Sequence, residues 1–123
     1  MANEIRMDAS LTIETTNLRE TYSPGSISID MASSKGDGGV QEIGTASAGE
    51  AINVVDVSVG GMFFVRNIDA TNYVEVGVQT GGTFFPFLKL LPGEYTVGRL
   101  GTIAPFARAN TANVDVQYRI ISP

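Results

Sequence analysis

Chemistry in this chain would have to rest on carboxylates. The sequence contains no cysteine and no histidine, which removes disulfides, thiol nucleophiles, Cys-based zinc sites and Ser-His-Asp triads. Two acidic pairs are left as acid–base candidates, Asp69 with Glu75 and Asp56 with Glu94. Glycoside hydrolysis needs two such groups at a fixed separation. Nothing in the spacing brings either pair together, and with 13 Asp and Glu among 123 residues, solvated carboxylates are the plainer reading. No catalytic residue is expected, and no cofactor.

Other constellations resolve the same way. Asn67, Asp69 and Asn72 offer three oxygen ligands to a calcium ion, but they lack EF-hand spacing and its closing Glu. An Asx-type turn accounts for the same residues without a metal. The glycine pairs at 38–39, 60–61 and 81–82 lack the spacing and following helix of a phosphate cradle, so Lys35 beside the first pair reads as a loop lysine. Phe63, Phe64, Phe84, Phe85 and Phe87, with Tyr73 and Tyr95, could form a sugar-stacking platform. In a strand, however, the neighbours Phe63–Phe64 and Phe84–Phe85 point to opposite faces. One of each pair then belongs to the core, and the other needs a second sheet, another subunit or a partner to cover it.

The elements that must position these residues are strands. The segment 59–100 holds five of the six Phe and two of the four Tyr, with turn signals between its apolar runs. Glu4 to Glu14 alternates throughout, with Ile5, Met7, Ala9, Leu11 and Ile13 on one face, which predicts one long strand able to pair beyond its own subunit. Short strands are predicted over 18–22, 26–31, 40–45 and 51–59, with a mobile loop at Ala32–Gly39. Further strands are predicted over 62–68, 73–78, 83–91, 94–100 and 114–121. Pro86 marks an edge or a bulge, Gly60-Gly61 a bulge or close backbone approach, and Leu91-Pro92-Gly93-Glu94 a type II turn. No window has helical period and caps. The reading is one all-β domain over residues 1–123, an antiparallel β-sandwich or jelly-roll-like small barrel of about eight to ten strands.

A net charge of −5, with eight basic residues spread along the chain, argues against nucleic acid as a partner. No export leader and no spanning apolar run is seen, so no membrane is expected.

Several stretches carry a family look: MANEI with the long first strand, GMFFVRNIDATNYVEVG, FFPFLKLLPGEY and APFARANTANVDVQYRI. Together they cover most of the chain, which resembles a small structural protein of tailed-bacteriophage virions. The resemblance implies a non-enzymatic virion component, similar to the capsid decoration or cement proteins that sit as trimers between major capsid subunits. It implies the major capsid protein as partner, a homotrimer, and location on the virion's capsid surface after synthesis in the host bacterial cytoplasm. A tail, neck or head-fibre component is the first alternative, and a carbohydrate-binding module the second. The resemblance transfers no binding residue by position. From the alternation and the loop, the expected assembly-interface residues are Ile5, Met7, Leu11, Lys35, Phe64, Phe85 and Pro86.

Overall fold

Alternating β-branched and polar residues, punctuated by Gly, Pro and Asn turns, leave this chain little to form except short strands. The computed structural model describes residues 4–31, 35–54, 57, 61–101 and 104–122. Twelve strands and no helix occur among them. The chain divides into two compact units, Met1–Ser33 and Ser34–Pro123.

The first unit holds β1 (Ile5–Met7), β2 (Leu11–Glu14), β3 (Arg19–Tyr22) and β4 (Ile27–Ile29). Strand β1 pairs with β4, and β2 with β3, both antiparallel. The long strand expected from Glu4 to Glu14 is therefore broken. Between the pairs Met7–Ile27 and Leu11–Tyr22, Asp8–Ser10 on one side face Ser23–Ser26 on the other, one residue more. Pro24 has no N–H to give a ladder, and Gly25 takes a φ of 85°, so pairing stops there. The Ser26 hydroxyl donates to the Asp8 carboxylate across the break.

In the second unit the remaining strands are β5 (Gly36–Ile43), β6 (Glu50–Ala51), β7 (Met62–Asn67), β8 (Val74–Thr80), β9 (Thr83–Leu90), β10 (Tyr95–Arg99), β11 (Phe106–Ala109) and β12 (Val114–Ile121). They form two four-stranded sheets, ordered β10-β7-β12-β5 and β6-β11-β8-β9. Val114, Val116, Tyr118 and Ile120 of β12 share one buried core with Phe63 and Val65 of β7, Val74 and Val76 of β8, Leu90 of β9 and Ala107 and Ala109 of β11. Both sheets contribute, which makes this unit an antiparallel β-sandwich. Each buried Val or Ile contributes about 1.5–3 kcal/mol against exposure.

Two turns follow their sequence signals. Gly81 and Gly82, with φ of 59° and 79°, close the β8–β9 hairpin, as a two-residue primed turn requires. Gly93 sits at φ 85°, and the Glu94 N–H donates to the Leu91 carbonyl at 2.9 Å, the type II arrangement. Pro86 lies on the edge strand β9 beside a bulge, and a methyl on the opposing Gly77 would overlap the Phe85 carbonyl oxygen. Gly61 likewise lies against the Ile121 carbonyl, a close backbone approach.

Other boundaries differ from expectation. The predicted loop Ala32–Gly39 is strand from Gly36 onward, because β12 supplies an eight-residue ladder against it; pairing overrides glycine's poor strand propensity. Residues 32–34 lie outside the described residues. The strand expected over 51–59 is only β6; Ile52 leaves the ladder to donate to the Pro105 carbonyl, and 55, 56 and 58–60 are outside the described residues.

Candidate interaction surface

The carboxylates come first, as the acid–base candidates of the sequence. Asp69 accepts from the backbone N–H groups of Thr71 and Asn72 at 2.9 and 2.6 Å. The Asn72 and Thr71 amides hold its carboxyl below the usual carboxylate range. Glu75 is paired with Arg108 at 2.9 Å, and Glu94 Oε1 accepts from the Leu91 N–H at 2.8 Å. Asp56 lies outside the described residues. The Asn67–Asn72 segment is an Asx turn with a buried clip. Asn67 Oδ1 accepts from the Asp69 N–H, and its Nδ2 donates to the carbonyls of Asn72 and Leu90, each at 2.9 Å. Asn67 Oδ1 and Asp69 Oδ2, two of the oxygens open to a calcium ion, are thus accepting backbone hydrogen bonds.

The aromatic pairs divide in two ways. Phe63 is buried in the core, and Phe64, half-buried on the opposite face of β7, lies with its ring 6.0 Å from that of Tyr95. Phe84 is also buried, but outside the shared core. It pairs in register with Gln79, which points away from the side of β8 that carries Val74 and Val76. The turn at 46–49 covers it: Gln79 Nε2 donates to the Ala48 carbonyl at 2.7 Å, Arg108 donates to the Ser47 carbonyl at 3.1 Å, and the Arg108 guanidinium lies 4.9 Å from the Phe84 ring. Phe85 pairs with Val78 on the core-side face, yet is 53% exposed.

A cleft lies farther along the same face, lined by Val78 rather than by Phe85. Strands β9 and β10 each end their own sheet. Between them lies an apolar cavity of about 530 Å³, walled by Phe63, Val76, Val78 and Leu88 with Phe87 at its rim. It is there because β10 presents only Thr96 and Gly98 at its inward positions, opposite Val65 and Phe63. A methyl placed on Gly98 would meet no atom within 4 Å. Phe87, the extra residue of the β9 bulge, is 87% exposed.

The expected interface residues fall in four places. Phe85 and Pro86 stand exposed together on β9 with Phe87, and Phe64 lies with Tyr95 on the outer face of β7–β10. Lys35 is exposed just before β5, its carbonyl accepting from the Ser122 N–H. Ile5 is buried and Met7 half-buried on β1, while Leu11 on β2 is 61% exposed. Sequence reasoning missed Thr96 and Gly98 as makers of a cleft. Small residues at alternate positions of a strand were the available signal. No protein-family model, curated protein or solved structure matches the chain.

Proposed function

We propose that this chain is a non-enzymatic virion structural protein, a capsid decoration or cement protein that binds between major capsid subunits as a trimer and stabilises the head. The observation that carries the reading is one concentration of large exposed apolar side chains, five of the eleven found among the described residues. Phe85, Phe87, Leu91, Tyr95 and Val97 belong to the adjoining edge region of β9 and β10 or the turn between them. A surface of this kind costs solubility unless something covers it, so it fits a protein whose work is assembly. The engagement of Asp69, Glu75 and Glu94 in structural bonds supports the non-enzymatic part. A cement protein adds interface around each capsid vertex or face, and repetition of a modest contact gives avidity.

The test is co-sedimentation of the purified chain with empty heads assembled from a candidate major capsid protein. Saturation at a fixed ratio to capsid subunits, with heads that withstand higher temperature, is the expected result. Absence of binding to heads, with binding to isolated tails, moves the protein to the tail reading. Binding to neither sinks the virion assignment.

A further inference from the structure

We propose that the cleft between β9 and β10 seats the Leu11–Tyr22 ribbon of a second copy of this chain. The ribbon is amphipathic by register. Pairing of Leu11 with Tyr22 and of Ile13 with Glu20 puts Leu11, Ile13 and Tyr22 on one face together with Glu20, whose carboxylate accepts from the Tyr22 hydroxyl. Thr12, Thr21, Glu14 and Arg19 occupy the other, where the two Thr hydroxyls lie 3.5 Å apart and Arg19 approaches Glu14 at 3.9 Å. Leu11 and Tyr22 are 61% and 54% exposed and Ile13 is half-buried, so the apolar side chains stand uncovered along with the polar ones of the other face. A two-stranded ribbon is at best marginally stable alone in water and gains most from a surface that takes its apolar face.

The cleft has the matching properties. Its walls are apolar, and open volume stands above Gly98 where a Leu or Tyr side chain can enter. Among the described residues, neither of the two edge strands has a second partner strand in its sheet, a place that a β-ribbon can take. Contact between Phe85 and Phe87 on one copy and Leu11, Leu18 and Tyr22 on the other removes about 600 Å² of apolar surface from water. With the usual polar share, the whole contact reaches about 1,000 Å², the lower bound for a specific interface. Ribbon and cleft are different patches, so copies either exchange ribbons reciprocally as a twofold dimer or pass them head to tail around a ring. A ring of three rests on the virion reading; the contact itself does not.

Light scattering on the full-length chain decides it. Gly98→Leu fills the cleft and leaves the ribbon intact, whereas Leu11→Asp charges the ribbon and leaves the cleft intact. The wild type is expected as a defined oligomer at micromolar concentration. Each variant alone should associate at least tenfold more weakly and run as a monomer with an unchanged β circular-dichroism signal. Mixed in equal amounts, the two variants should form a dimer, since one good ribbon meets one good cleft. Should Gly98→Leu fail to fold, Phe87→Ser at the exposed rim takes its place in the same scheme. A wild type still monomeric at about 0.1 mM overturns the proposal. Variants that keep the wild-type mass, or a mixture that stays monomeric, overturn it as well.

Discussion

Asn67 is the residue on which most local order converges. Its side chain is fully buried and serves three backbone groups, two carbonyls and one N–H. Replacement by Ala strands those groups away from water, at a cost of about 3 kcal/mol. Urea denaturation of Asn67→Ala should show a lower midpoint at unchanged slope; a midpoint within error of wild type would mean that water replaces the amide. Asp69 makes a separate, pH-dependent contribution. Its folded carboxyl titrates below the ordinary range, held down by the Asn72 and Thr71 amides. The unfolded chain, titrating near pH 4, therefore binds the proton first as pH falls. Stability from this group is whole above about pH 4 and is lost as pH drops through the lower folded value. Asp69→Asn should flatten that acid limb in urea midpoints taken from neutral to acid pH, and parallel curves for the two proteins would rule the contribution out. The Asx turn itself was legible in the Asn-Asp-Asn spacing. The reach of Asn67 to the Leu90 carbonyl, a contact between distant turns, was not.

At the scale of elements, glycine separates what is tightly packed from what is open. Gly77 faces the Phe85 carbonyl so closely that any side chain displaces the β9 bulge, whereas Gly98 looks into empty space. Gly77→Ala should cost about 1–3 kcal/mol through overpacking, while Gly98→Ala should stay within about 0.5 kcal/mol of wild type. Thermal midpoints of the two variants check this, and equal losses would contradict the geometry. The same contrast explains what the sequence could reveal about strands. Strand β12 runs from Val114 to Ile121 as its alternation indicates, because its pattern and its burial agree. The split of Glu4–Glu14 was hidden, since an unbroken period of two says nothing about the partner. Here the partner side carries Pro24 and an extra residue. Strand β11 was equally hidden, for Phe-Ala-Arg-Ala has little propensity of its own and is strand by virtue of β8 and β6 beside it. The cleft escaped for a related reason: about eight to ten strands could be counted where twelve are found among the described residues, but which edges adjoin is a matter of strand order.

For the whole molecule, the fold and its exposed surface should separate under mutation. Ile120, fully buried between the sheets, should lose about 3 kcal/mol on truncation to Ala. Phe87→Ser, at a rim position, should leave stability unchanged within about 0.5 kcal/mol and weaken self-association instead. The same division should appear without any mutation, in amide hydrogen exchange. Strand β12 is paired on both sides, with β7 and β5, so most of its amides exchange only when the sandwich opens as a whole. The β2–β3 ribbon has one partner strand per strand and an exposed apolar face, so it should open locally and exchange fast in dilute solution. Raising the protein concentration should then slow exchange in residues 11–22 while leaving residues 114–121 as they were, because association covers the ribbon and does not touch the core. Mass spectrometry of peptides from the two regions at two concentrations reads this directly. Strong protection of the ribbon at every concentration would mean that its apolar face is covered within a single chain, and the cleft would then have to be explained by a different occupant.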